Sequence, residues 1–256
     1  MNVNVCFIYF IRGNFTVLMM IKIIIPFIFC LSLYAHDIKD DFISWKYYSR
    51  ITTIQSINNN YGFGTYLRIK RNTKYSFKDL RLFAHQVFKD GSFYKLRYKN
   101  SSKFINLNRF YNFSVLSFDK NDKIGLNIRS QGSQGIGLFL IEYEYGHYNT
   151  EISFSYDMMD HLNDTKKTSY LKFGNFWDNN IFLIESKLEL EAIYQISDIV
   201  DEDLSRIELL IEVYYPIMKN INFILGFEIE DYIFQSKSGY SYFLSIGYKK
   251  SLKWNF

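Results

Sequence analysis

From Tyr242 to Phe256 the chain sets Tyr242, Leu244, Ile246, Tyr248, Leu252, Trp254 and Phe256 on one parity. Ser245, Gly247, Lys249, Ser251, Lys253 and Asn255 hold the other. A repeat of two is the repeat of a β-strand with one apolar and one polar face. The pattern returns along the chain. Ile207, Leu209, Ile211, Val213 and Tyr215 oppose Arg206, Glu208 and Glu212, while Ile221, Phe223, Leu225, Phe227 and Ile229 oppose Asn222, Gly226, Glu228 and Glu230. Ile152, Phe154, Tyr156 and Met158 likewise oppose Glu151, Ser153, Ser155 and Asp157.

Helical periodicity is hard to find beyond His36, and the strand pattern predicts an all-β chain. Candidate strands are 43–57, 61–70, 76–89, 92–100, 104–118, 123–145, 150–159, 168–177, 181–196, 205–215, 221–234 and 240–256. The sixth holds "SQGSQG" at Ser130 to Gly135, which could be a turn; keeping it whole gives about twelve strands, within a range of 10 to 14. An even count returns both termini of a bacterial barrel to the same side. Short connections of turn residues, such as 58–60, Asp90-Gly91, 120–122, 147–149, 178–180 and 216–220, imply a single up-and-down antiparallel meander with no domain linker.

The first 35 residues differ in kind. "MIKIIIPFIFCLSLYA" from Met20 carries Lys22, an apolar run from Ile23 to Leu33 and the small Ala35 before the polar "HDIKDD". This reads as a secretory signal peptide with the true start near Met19 or Met20, leaving 36–256 as the mature domain. An uncleaved anchor over 15–35 is the competing reading; Cys30 lacks the small residues that precede a lipidated cysteine. Both cysteines, Cys6 and Cys30, fall in this leader, so no disulfide is expected in the mature fold.

Arg12 and Lys22 are the leader's only charges. The 30 basic residues therefore fall to 28 against 26 acidic from His36 onward, a net charge of +2. No dense basic tail or stripe accompanies it, which argues against a nucleic-acid partner.

Alternation does not say which face is inside. A soluble sandwich buries its apolar face, and a membrane barrel turns it to lipid. Three features favour the membrane: nearly every strand has a charged or small face; aromatics recur at strand ends (Trp45, Tyr47, Tyr61, Phe176, Trp177, Tyr214, Tyr215, Trp254, Phe256); and the chain closes on an aromatic strand. The 22 Tyr and 25 Phe make the girdles possible. The expectation is a monomeric transmembrane β-barrel of the bacterial outer membrane, in contact with outer-membrane lipid.

The ending also resembles the C-terminal signal of bacterial outer-membrane proteins, a last Phe with aromatic and apolar residues at alternate positions before it. Tyr248, Leu252, Trp254 and Phe256 match, and the resemblance implies recognition by the barrel assembly machinery. Lys250 departs from the pattern on the apolar parity, which is tolerable near an interface that its amine can reach.

"FDKNDKIGLNIRSQGSQGIG", Phe118 to Gly137, resembles the middle of the family called domain of unknown function 481, described as salt-induced outer-membrane proteins. Asp119 and Asp122 would be its acidic turn, Arg129 its strand arginine, and Gly135 and Gly137 its Gly-x-Gly step. The threonine-glycine-asparagine element found near the start of such proteins is missing, "TTIQSINNNYGFG" being the nearest stretch. The resemblance implies the barrel architecture and no particular activity.

Candidates for catalysis are few. His36 borders the cleavage point, His147 sits in a predicted turn and His161 in a predicted loop. Only His85 falls on a polar face, and no serine–histidine arrangement of the kind an outer-membrane phospholipase needs stands out. Asp198, Asp201, Glu202 and Asp203 could hold calcium or form a solvated acidic loop; their spacing matches no defined calcium loop. The reading is therefore non-enzymatic, with no cofactor and no metal.

Charge on the polar faces is more informative. Lys46, Arg50, Arg68, Lys70, Arg81, Lys95, Arg97, Lys99, Lys123 and Arg129 give the first half a basic wall. Glu142, Glu144, Glu151, Asp157, Glu185, Glu189, Glu191, Glu208, Glu212, Glu228 and Glu230 give the second half an acidic one, with Lys187, Arg206, Lys249 and Lys253 interspersed. Eight strands leave a filled interior and sixteen an aqueous channel, so twelve fall between. Two outcomes stay open: a bore closed by ion pairs, or a narrow slot whose transverse field favours small polar or zwitterionic solutes. Function is thus expected to be structural or that of a narrow passive pore. An enzyme acting on phospholipid or lipopolysaccharide is the alternative, and a surface receptor or adhesin, lacking a long loop, comes third.

Overall fold

The computed structural model describes residues 43–252, apart from 57–59, 90, 123–125, 162–163, 182–183, 198–202 and 235–237. The proposed leader, Trp254 and Phe256, and Asp198, Asp201 and Glu202 of the acidic loop lie outside the described residues.

Twelve strands form one sheet: β1 (Ser44–Ser56), β2 (Tyr61–Asn72), β3 (Ser76–Val87), β4 (Gly91–Phe104), β5 (Leu107–Asn121) and β6 (Leu126–Tyr143), then β7 (Gly146–His161), β8 (Asp164–Ile181), β9 (Ile184–Gln195), β10 (Arg206–Met218), β11 (Ile221–Tyr232) and β12 (Ser238–Leu252). Each pairs antiparallel with its sequence neighbours. β12 also pairs with β1, from Trp45↔Leu252 to Ser56↔Ser241, and this closes an up-and-down barrel. Closure satisfies the backbone groups that an edge strand would leave open, a requirement for crossing hydrocarbon.

β6 runs unbroken through "SQGSQG". Ser130 through Gly135 pair with β5 on one side and β7 on the other. Gly135 and Gly137, the Gly-x-Gly step, have a packing reason. A Cβ on Gly137 would strike the Tyr111 ring, and one on Gly135 the Ile152 carbonyl and Ser153. Pro216, which has no N–H to donate, lies near the end of β10 where the pairing with β11 shifts register.

Two histidines sit differently from the sequence reading. His147 is the second residue of β7 rather than a turn residue, and His161 is its last residue rather than part of a loop. The real β6–β7 turn is Glu144-Tyr145. The alternation continued past the predicted edges because polar residues such as Asn149 are paired on an inward face.

The faces are inverted relative to a soluble fold. Ile51 is 72 % exposed and Ile246 61 %, with Phe63, Leu116, Ile152, Phe173 and Leu225 also outward. Arg50, Asp79, Arg81, Glu151, Asp157, Arg206 and Glu212 are buried. Greasy outside and charged inside is the arrangement a bilayer stabilises and water does not. Outward aromatics gather at both ends: Tyr143, Tyr145, Trp177, Tyr215 and Tyr248 toward the end that carries the termini, Phe63, Phe88, Tyr94, Tyr194 and Tyr240 toward the other. These are the positions of interfacial girdles. Phe176 and Tyr214, expected among them, instead share the inward parity: Phe176 lies beside Lys99, and Tyr214 packs on Tyr48. Each has an outward neighbour, Trp177 or Tyr215, so the aromatic pair disguised which member faced lipid.

Candidate functional site

The inward faces carry the chemistry, and their side chains meet in layers. At one flank Arg50 on β1 pairs with Glu212 on β10, three strands away round the ring. Its guanidinium lies 4.7 Å from the Tyr66 ring centroid and 4.8 Å from that of Phe243. Tyr214 donates to the other Glu212 oxygen at 2.6 Å. Phe243 fits because its cross-strand partner is Gly226, where any Cβ would fall within the ring. Ile54 and Ile224 complete a small apolar cluster around it.

At the opposite flank Lys99 on β4 pairs with Glu151 on β7 and lies over Phe113 at 4.6 Å and Phe176 at 5.2 Å. Glu151 also accepts from Tyr111 Oη at 2.6 Å, and Asn149 Nδ2 donates to that hydroxyl at 2.6 Å. Both flanks therefore hold a cation clamped between a carboxylate and two rings. Such burial is tolerable only because each charge is paired and each ring face is negative.

Between the flanks, ion pairs bridge the bore itself. Asp79, 1 % exposed, accepts from Arg68 Nε and Nη2 at 2.8 Å each and from Arg81 Nε at 2.7 Å. Arg81 then reaches Glu189 Oε1 on β9 at 3.4 Å, and Lys187 reaches the same oxygen at 2.6 Å. Arg97 on β4 lies 3.7 Å from Glu191 on β9, which also meets Lys172 at 3.3 Å.

Toward the end away from the termini, Arg129 makes a two-point contact with Asp119, at 3.1 and 2.6 Å. Arg206 pairs with Glu208 at 2.8 Å and Glu230 at 3.4 Å. Glu228, on the same parity as buried Ile224 and Gly226, is exposed within the barrel. Lys95, half-buried, faces inward on β4. Among the described residues neither Lys95 nor Glu228 has an ion pair within 4.0 Å, in contrast to the nine other charges singled out from the sequence: Arg81, Arg97, Lys99, Arg129, Glu189, Glu191, Glu208, Glu212 and Glu230.

Sequence reasoning missed the acids within the basic half. Asp79 was passed over and Asp119 was assigned to a turn, yet both are buried counterions to arginines. The signal was available in parity, since Asp79 shares that of Arg81 and Asp119 faces Arg129 across the β5–β6 ladder. Asp157 is 0 % exposed, and among the described residues both its carboxylate oxygens lack a hydrogen-bond partner, as do neighbouring Thr168 Oγ1 and Tyr170 Oη. His85 points inward against Phe83 and Phe93, its Nε2 buried and unpartnered. Of the residues matched to the terminal signal, Tyr248 and Leu252 stand on the outward parity of β12.

No family model and no curated protein matches the chain. Among solved structures it is similar to the NanC porin, with a TM-score of 0.56 at 6 % identity over 78 % of this chain and 98 % of that one. The KdgM porin in complex with oligogalacturonate superposes more loosely, at a TM-score of 0.45 and 11 % identity over 79 % and 98 %. The translocator domain of the autotransporter NalP from Neisseria meningitidis does so at 0.43 and 9 %, over 85 % and 91 %. The NanC likeness is one of fold: this chain is a closed twelve-stranded up-and-down β-barrel, similar in fold to that porin.

Proposed function

We propose that the chain is a narrow passive pore of the bacterial outer membrane, without enzymatic activity, whose bore is constricted at mid-height by interlocked ion pairs. The observation that carries this reading is the contact of Arg81 with Glu189 across the barrel, at 3.4 Å. A bore that two side chains can span admits only small solutes past its charged lining. Lys95 on one wall and exposed Glu228 on the other leave a field across the remaining space, which favours small polar or zwitterionic solutes over apolar ones. Membership of the domain-of-unknown-function 481 family, insertion by the barrel assembly machinery through the terminal strand, and termini on the periplasmic side belong to the same proposal.

Planar-bilayer recordings of the refolded protein test it. Small, stable conductance steps are expected. Neutralising Glu228 and Glu230 to Gln should move selectivity toward anions, and neutralising Arg97 and Lys99 to Gln toward cations. Silence from the wild type and from Glu189→Gln alike would overturn the pore and leave a structural barrel.

A further inference from the structure

The outward faces of the barrel are not alike. On β9 to β11 they are aliphatic or aromatic through their centres: Leu188 pairs with Ile211, and Ile211 with Phe227; Val213 pairs with Leu225. On β3 to β6 a polar row crosses the same surface. Lys78 pairs with Asn100, Asn100 with Ser114, and Ser114 with Gln134, all on the parity that elsewhere faces lipid. Ser102 and Asn112 form the start of a second row beside it. Ser114 and Gln134 stand at the middles of their strands, so the row crosses the depth where hydrocarbon is thickest. Outward Leu80, Tyr98 and Leu116 border it on one side and Phe104 and Phe110 on the other.

A carboxamide left against acyl chains loses the hydrogen bonds that water would have made, so such groups face lipid only where something else covers them. Ser114 and Gln134 are each half-buried on that face, and Gln134 Nε2, covered by its neighbours, has no hydrogen-bond partner among the described residues. Gly132, beside Gln134 on the same outward face, has only a Leu116 methyl within van der Waals reach of where its Cβ would be, so the wall is shallow there. Small and amide side chains at one patch of a membrane-facing surface are what allows two proteins to approach closely and bond.

We propose that this patch is the contact between two copies of the chain in the membrane. Amides and hydroxyls both donate and accept, so the row complements itself. A two-fold axis along the membrane normal near Ser114 sets Ser114 against its own copy and Asn100 on the same flank as Gln134 of the partner subunit. The patch carries one cation, Lys78, at its edge and no acid, which fits neither an anionic-lipid site of clustered cations nor a charged partner. This replaces the expectation of a monomer, and it is independent of whether the bore conducts.

The test is disulfide trapping in native membranes. With Cys6 and Cys30 replaced by Ser, Ser114→Cys should form dimers of the chain at least several-fold more efficiently than Ala192→Cys, which stands on the apolar outward face of β9. In mild detergent the wild type should run as a dimer by native mass spectrometry, and Asn100→Leu with Gln134→Leu as a monomer whose heat-modifiable electrophoretic shift still reports a closed barrel. Equal trapping at positions 114 and 192, trapping of Ser114→Cys to a different protein, or a wild type that is monomeric in membrane and detergent would overturn the proposal.

Discussion

Arg81 Nη1 on β3 and Glu189 Oε1 on β9 meet at 3.4 Å although their strands stand six positions apart in a ring of twelve, the greatest separation the ring allows. The contact ties opposite walls together. It also draws Asp79, Arg68 and Lys187 into one network, since Arg81 shares Asp79 with Arg68 and Glu189 with Lys187. Glu189→Gln leaves Arg81 and Lys187 each short of a buried counter-charge and should lower stability in vesicles by about 3 kcal/mol, read by urea unfolding. Arg81→Met with Glu189→Leu together should recover part of that loss, because Arg81 is then no longer stranded across the bore while Lys187 keeps Glu212 at 3.9 Å. A double variant as unstable as the sum of the singles would show that the pair is not coupled.

Phe243 depends on the absence of a side chain at Gly226, and Arg50 depends on Phe243. Gly226→Val should force the ring aside, opening one face of the guanidinium and costing about 1–3 kcal/mol through overpacking. The same measurement on Gly239→Val, where a new Cβ would meet nothing within 4 Å, should show little change.

The outward face of β12 should reject a charge, while the inward face of neighbouring β1, which already holds Arg50, should tolerate exchange of one hydroxyl for another. Leu244, 47 % exposed at the centre of β12, faces hydrocarbon, and Leu244→Arg should cost about 2–4 kcal/mol in a bilayer. Thr52→Ser, on the inward face where Thr52 Oγ1 and Ser245 Oγ lie 2.9 Å apart, keeps a hydroxyl in place and should cost far less. Comparable losses at both sites would contradict the assigned orientation.

Just beyond β5, in the connection away from the termini, Asp122 accepts from the backbone N–H of Ser92 at 3.1 Å and from its hydroxyl. Those hydrogen bonds, first the side-chain one, hold the carboxyl below the usual aspartate range. A depressed carboxyl contributes its stabilisation above its ordinary pKa and loses it as pH falls through the lowered value. Protection of the Ser92 amide, followed by hydrogen exchange and corrected for intrinsic rates, should therefore hold at neutral pH and fall under acid. Asp122→Ala should show the low protection at every pH.

The architecture was legible in the sequence because a barrel strand announces itself locally. Parity alone separates Ile207, Leu209 and Ile211 from Arg206, Glu208 and Glu212, whatever the chain does elsewhere. The polar parity that carries Lys95 and Glu228 was readable in the same way. The unbroken β6, and with it the count of twelve, followed from a different argument, the even number of strands that a closed bacterial barrel needs. Partners within that interior were not legible. Asp119 and Arg129 are ten residues apart and face each other across one ladder, so their pairing was within reach of a register argument. Glu189 and Arg81 are separated by 108 residues and by half the ring.

What the sequence determined by itself is which residues share a face of each strand, since a period of two is fixed by the pleat of each strand independently. Only the tertiary structure decided which charges touch, because that depends on closure: the pairing of β12 with β1 and the stagger accumulated over twelve strands set which levels of opposite walls coincide. The basic and acidic halves could have stood apart across water. They meet, with Asp79 and Asp119 inside the basic half, because a bore this narrow brings long side chains from opposite walls within Coulomb contact.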